Sequence, residues 1–367
     1  MNYSLPQLLR DVSEFSMRGL PRVAFWAVIN HCNAVCTTCH FYLTKKSQRT
    51  HVRLEDAKKA IKVLKNSNFR WTSITGGEPL LNPDFFDICD AAVQAGLEIS
   101  YVPTNGMLVD DAAARRFKAI DAKVVGISIE QIGEDGMGPT RKIKNLKEVL
   151  LHAREALEVH GVRHYAGLLL SKDTLDMDRV MTFVHELGFK KIVFSYPQVE
   201  QRSSYRAARF VDAIHLSTGD VAHLVTEIKR AKKKYPDIAI YNTDEALDDF
   251  LRYTRGEAPH FPCWGGRRLF YIDWKLDLYR CFTLPTRYGN LLEMDERIEI
   301  EEQEFCDQCS QQAFRDFGPM YSGAESLGTM LRQIKRGHLV EAARVLSDPH
   351  ARAAVGSLYE AFRGGFL

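Results

Sequence analysis

The sequence predicts an α/β fold: a partial (βα)6 TIM-like barrel followed by a small C-terminal β-hairpin and helical domain. Three observations carry this expectation. Short apolar runs alternate with amphipathic stretches over the first two-thirds of the chain, a pattern of βα units on a parallel sheet. Six such units end near residue 200, too early for an eight-unit barrel. Beyond about residue 259 the text changes to short strands, turns and closely spaced cysteines.

The predicted strands are residues 23–29, 71–75, 98–103, 124–129, 165–170 and 191–196. Between the first two, Leu54, Ala57, Ile61 and Leu64 fall at helical spacing, with Lys58, Lys59, Lys62 and Lys65 on the other face. Phe85, Ile88, Ala92 and Val93 repeat that spacing, and Gly96 stands where the helix should stop. Residues 201–213 are rich in Arg and Ser, and a helix over 218–234 ends before Pro236. Its run 229–234 holds five basic residues, which read as a solvated helix face. From residue 326 onward the chain reads as helices, broken at Asp348-Pro349. The division expected is 1–19, an N-terminal helical extension; 20–215, the barrel core; 216–255, linking helices; 256–320, the late-cysteine domain; and 321–367, C-terminal helices.

Composition narrows the class. The 367 residues are 45% hydrophobic and 26% charged, ample for a packed core. The balance of 49 Lys and Arg against 47 Asp and Glu gives no global field for nucleic acid or an anionic membrane. The longest apolar run, residues 23–29, is seven long and cannot span a bilayer. With no secretory block in the first twenty residues, a cytoplasmic location is expected. There, eight cysteines are metal ligands or redox groups before they are disulfides.

Their placement is uneven. Cys32, Cys36 and Cys39 follow the first strand; Cys263, Cys281, Cys306 and Cys309 lie in the last third. Cys89, beside Ile88 and Ala92 on an amphipathic helix, reads as a core residue. Three thiolates at the carboxyl end of a barrel strand can hold three corners of a [4Fe–4S] cluster. Zinc is the competing metal, with His31 or His40 as a fourth ligand.

Cys32-x3-Cys36-x2-Cys39 after the first strand resembles the signature of the radical S-adenosylmethionine (SAM) enzymes. Gly76-Gly77-Glu78-Pro79 after the second strand is similar to that family's GGEP segment. Thr104-Asn105-Gly106 and Ser128-Ile129-Glu130 follow in the family's order, so the resemblance spans roughly residues 20 to 200. It implies a three-cysteine [4Fe–4S] cluster whose open iron chelates SAM. One-electron reduction then yields a 5′-deoxyadenosyl radical that takes hydrogen from the substrate. The implied SAM contacts are Gly76, Gly77, Glu78 and Pro79 for the amino group and Ser128 and Glu130 for the ribose. Asn105 and Arg141 would reach the adenosine and the methionine carboxylate. Thr38 stands where the family commonly has an aromatic residue, and Phe41 or Tyr42 can take over that contact.

The late cysteines resemble the auxiliary-cluster extensions called SPASM and twitch. A hairpin turning at residues 273–275 would return Cys281 to Cys263, and Cys306-x2-Cys309 has metal-ligand spacing. The family pattern has a glycine five positions before the second cysteine, where this chain has Leu276; Gly289-Asn290 matches a later Gly-Asn. Four ligands imply one auxiliary [4Fe–4S] cluster of twitch type, with zinc the rival. A fully ligated cluster would accept an electron from the substrate radical, making the net reaction an oxidation.

The expected substrate is a polar small molecule, with Tyr196, Arg202 and Arg206 as contacts at the barrel mouth. The expected electron source is an external one-electron donor such as flavodoxin or ferredoxin. Two alternatives stand beside this: a peptide maturase forming a crosslink or thioether, and a non-catalytic iron–sulfur or zinc scaffold.

Overall fold

The structure is a computed structural model that describes residues 22–129, 132, 141–198, 203–205, 212–300 and 304–364. The expected extension at 1–19 therefore lies outside the described residues. Twelve strands are described: β1 (Arg22–Ala27), β2 (Val35–Cys36), β3 (Phe69–Thr75), β4 (Glu98–Thr104), β5 (Val125–Ser128) and β6 (Arg141–Lys142), then β7 (His164–Leu169), β8 (Lys191–Ser195), β9 (Ala239–Ile240), β10 (Leu269–Ile272), β11 (Asp277–Tyr279) and β12 (Arg287–Asn290). All six predicted strands are present as β1, β3, β4, β5, β7 and β8, shifted by at most two residues.

Ten of them form one sheet in the order β12-β11-β10-β1-β3-β4-β5-β7-β8-β9. From β10 to β9 every neighbouring pair is parallel. The expected hairpin is β10 and β11, antiparallel. Beyond that expectation, β10 joins the barrel sheet by pairing in parallel with β1. The reason is visible in its residues. Leu269, Phe270, Tyr271 and Ile272 are all buried, and a strand that is apolar on both faces is stable only inside a sheet covered on both sides.

Alternation along β1 divides two cores. Ala24 and Trp26 face the main core between sheet and helices, while Val23, Phe25 and Ala27 face a second cluster with Cys263, Cys281, Phe314 and Tyr321. The late-cysteine segment thus packs onto the inner face of β1 and β10.

The helices follow their sequence signals. Leu54–Asn66 buries Ala57, Ala60, Ile61 and Leu64. Asp110 and Asp176 accept from backbone N–H groups at the starts of their helices, and Ser217 forms a reciprocal capping box with Asp220. Each cap contributes about 1 kcal/mol. The basic run at the end of helix Thr218–Lys234 meets its own acids: Lys229 pairs with Asp248, Arg230 with Glu227, Lys232 with Asp244, and Lys234 with Asp178. Cys89 is fully buried in the main core. The helices Leu339–Ser347 and Pro349–Gly364 meet at the expected break. No described helix is long and apolar enough to cross a membrane.

The β10–β11 turn carries an unusual residue. Leu276, where the family pattern has glycine, has φ of 66°, in the left-handed region. Asp273 holds the turn by accepting from the N–H groups of Lys275 (2.9 Å) and Asp277 (3.1 Å). The Leu276 side chain is buried in the main core, which offsets a backbone cost of about 1 kcal/mol. Leu276→Gly should relieve that cost yet forfeit about 3 kcal/mol of packing, a net loss of about 2 kcal/mol. Leu276→Ala loses the packing without the relief, so it should unfold at a lower temperature than Leu276→Gly. An alanine variant as stable as the glycine variant would refute the offset.

Candidate functional site

The first cysteine cluster leaves the end of β1 on a loop closed by short bonds. Cys36 lies in β2, paired with Arg141 of β6, and Cys39 N–H donates to the Cys36 carbonyl at 3.0 Å. All three thiols line one cavity of about 340 Å³. Cys32 Sγ accepts from Ala34 N–H (3.3 Å) and from Asn105 Nδ2 (3.6 Å). Burial, with Glu78 adding to it, pushes the Cys32 thiol up to about 11, so its thiolate needs a neighbouring cation to persist at neutral pH. Among the described residues no three His, Cys, Asp or Glu side chains meet where one metal ion could sit.

The second loop interlocks with the first. A Cβ on Gly77 would lie 1.9 Å from the His31 carbonyl oxygen, and one on Gly76 (φ 141°) 2.5 Å from that of Ile29. Gly77 and Glu78 N–H donate to those same two carbonyls, each at 3.1 Å. Sequence reasoning assigned these glycines to ligand approach. Their nearer purpose is to let one loop backbone lie against the other. Glu78 is buried and lines the cavity. Its carboxylate accepts from Thr104 Oγ1 (2.9 Å), Leu80 N–H (3.3 Å) and Asn105 N–H (2.8 Å).

Thr38, Phe41, Asn105 and Ser128 line the same cavity. Pro79 is buried and starts the single turn Pro79–Leu81. Asn105 bonds to Asn33 Oδ1 (2.7 Å) as well as to Cys32, which ties the loop after β4 to the cysteine loop. Arg141 sits beside Cys36 by backbone pairing. Glu130, Arg202 and Arg206 lie outside the described residues.

The other half of the cavity is aromatic and acidic. Tyr101 and Tyr165 stack at 5.3 Å, and Tyr196 stacks on Phe250 at 4.2 Å. Beside them is a residue that sequence reasoning missed. Asp316 lines the cavity from the C-terminal segment. Its carboxylate accepts from Tyr196 Oη (3.2 Å), Gln312 Nε2 (2.6 Å) and Asn242 Nδ2 (3.3 Å). Burial pushes it up to about 7, although those donors and the Lys232 charge work the other way. The signal was present in the text: Arg315-Asp316 is a charged pair set between Phe314 and Phe317.

The late cysteines also converge. Cys263 and Cys306 form an isolated backbone bridge. Cys281, just past β11, accepts from Leu284 N–H at 3.3 Å, and Cys306 from Gln308 N–H at 3.5 Å. Each of the two buried thiols feels its partners: Cys263 senses Cys309 and Cys281, and Cys281 senses Cys309 and Cys306. Burial raises Cys263 to about 12 and Cys281 to about 11. No disulfide joins any of the eight cysteines among the described residues.

Two predictions follow from this geometry. Gly77→Ala must push the cysteine loop away from the second loop. Iron bound per chain after anaerobic reconstitution should fall by about half or more, and full iron content would count against the interlock. For Asp316, a folded pKa near 7 against 3.8 in an exposed chain means the folded state keeps a proton that the unfolded state releases. Stability conferred by that proton is lost as pH rises from 3.8 toward 7, and is level above. The unfolding temperature of wild type relative to Asp316→Asn should fall across that window, whereas parallel curves would refute the buried acid.

Known proteins bear on this arrangement. Residues 26–184 match the family model described as the Radical SAM superfamily. The AdoMet-dependent heme synthase of Methanosarcina barkeri is 24% identical over 174 residues, 47% of this chain and 50% of that protein. The pre-heme d1 synthase of Dinoroseobacter shibae is 28% identical over 289 residues, 72% of this chain and 69% of its own. The chain thus spans about half the length of the heme synthase and over two-thirds of the pre-heme d1 synthase. In fold, it is similar to Streptococcus suis SuiB bound to precursor peptide SuiA. The TM-score is 0.57 at 13% identity, covering 75% of this chain and 63% of that one.

Proposed function

The chain carries a radical SAM domain, and from that premise we propose that it is an enzyme that oxidises a polar small molecule by radical SAM chemistry. The observation that carries this reading is one cavity lined by Cys32, Cys36 and Cys39 at one end and by Glu78, Ser128 and Asp316 elsewhere on its wall.

The donor set fits the groups that the family uses. Cys32, Cys36 and Cys39 would hold a [4Fe–4S] cluster, and the N–H groups already on Cys32 Sγ are of the kind that tune cluster sulfurs. Cluster and SAM together would supply the open iron, the electron and the radical. The remaining work falls to the chain. Glu78 places a buried carboxylate on the cavity wall, an acceptor of the kind that suits an ammonium. Gly76, Gly77, Pro79, Thr38, Phe41 and Asn105 shape the SAM side of the cavity in this reading. Ser128 and Glu130 reach the ribose, and Arg141 the carboxylate. Asp316, poised near neutral pH, can hold or accept a proton of the substrate at its carboxylate. In this reading Tyr196, Arg202 and Arg206 complete the substrate contacts. Covering by the C-terminal segment keeps water from the reacting centre.

Cys263, Cys281, Cys306 and Cys309 would hold an auxiliary cluster, which would supply an acceptor for the substrate's electron. An external donor such as flavodoxin or ferredoxin supplies the first electron. The proposed division of the chain is the one above, with 20–215 as the SAM-binding core and 256–320 as the auxiliary domain. The peptide reading rests on fold likeness to SuiB bound to SuiA.

Two variants test the division of labour. Cys36→Ala should lower 5′-deoxyadenosine formation under strong reduction at least a hundredfold. Cys281→Ala should keep at least a tenth of that formation. Equal loss in both, with folding intact, would contradict separate roles for the two cysteine sets.

A further inference from the structure

The late cysteine site has a charged neighbour that nothing above uses. Arg315 ends the short helix Gln312–Arg315 and is 6% exposed. Its Nε donates to the Cys309 carbonyl at 2.8 Å. Its buried Nη1 finds no hydrogen-bond partner among the described residues. The guanidinium lies close enough to Cys263 that its charge favours the thiolate there. Asp316, next in the chain, is held by Tyr196, Gln312 and Asn242 on the cavity side and does not pair with it.

A guanidinium buried without an anion is costly, because desolvation is not repaid by any opposite charge. Four neutral thiols cannot repay it. Four thiolates on a metal centre can. A doubly charged four-iron core and a zinc ion have the same charge, so either one bound by four thiolates is a dianion. Two metals therefore lead to one electrostatic requirement, and Arg315 meets it.

We infer that Arg315 is the counter-charge of an anionic tetrathiolate centre at Cys263, Cys281, Cys306 and Cys309, a positioning residue that favours whichever state of the centre carries more negative charge. The inference rests on the reading that the late cysteines bind metal, and it holds for iron or zinc alike. In an iron centre, reduction adds a negative charge beside the guanidinium, so the cation raises the reduction potential. In a zinc centre it strengthens retention of the metal.

The test uses the full chain with Cys32→Ala, Cys36→Ala and Cys39→Ala, so that only the late site is loaded. Iron and zinc are measured first after anaerobic reconstitution. Arg315→Gln, which removes the charge but keeps a hydrogen-bonding end, is then compared with Arg315→Lys, which keeps the charge. If iron is bound, Arg315→Gln should shift the reduction equilibrium at least tenfold toward the oxidised form, about 59 mV for one electron. Arg315→Lys should recover most of that shift. If zinc is bound, the same pair should differ at least tenfold in zinc retention against a chelator, with glutamine the weaker. Arg315→Met, which retains the stem's packing, replaces the glutamine variant if that one does not fold. An equal potential or equal retention in all variants overturns the role of Arg315 and leaves the metal site standing. A late site that takes up neither metal overturns both.

Discussion

Strand β1 is bonded on both edges, to β3 and to β10, and both of its faces are claimed. Everything functional hangs from that arrangement. The cysteine loop leaves its carboxyl end, so the position of three thiols is set by the register of one strand. Val23 and Phe25 point to the side where the C-terminal segment packs, and the same two residues line the cavity. Period-two alternation lets one short strand seat a helical core on one side and a cysteine-bearing cover on the other. A slip of one residue would exchange those faces.

The charges are placed with the same economy. Glu78 and Asp316 are both buried carboxyls on the cavity wall, each held by several hydrogen bonds. Arg315 and Asp316 are adjacent in sequence and serve opposite sides of the segment. One approaches the late thiols while the other enters the cavity. The junction between the helices Gln312–Arg315 and Phe317–Lys335 is thus the covalent link between the late cysteine site and the space beside the first. An aromatic contact spans the same interval, since Tyr205 packs on both Phe41 and Phe282, neighbours of Cys39 and Cys281.

Much of the barrel could be read without coordinates because its signals are local. Strands of four to seven residues separated by helices with apolar faces at 3.6-residue spacing are visible in any window of twenty residues. Cys32, Cys36 and Cys39 are adjacent in the text, and so are Gly76 to Pro79. The late hairpin was legible for a similar reason: Leu269 to Ile272 reads as a strand and Asp273 as its turn. What could not be read is which strand β10 joins, because parallel pairing with β1 links residues nearly 250 positions apart and leaves no periodic trace.

The same distinction divides the site. Sequence alone determined the cysteine triplet, the Gly-Gly-Glu-Pro loop, the second set of four cysteines and the strand ends that carry them, since each is a short pattern with a short-range cause. Tertiary structure alone decided that Gly76 and Gly77 press on the cysteine loop's carbonyls and that Leu276 takes a left-handed turn while buried in the core. It also decided that Asp316 meets Tyr196 and Asn242 across intervals of 120 and 74 residues. Those outcomes depend on long-range packing and desolvation, which exist only once the sheet has brought distant segments together.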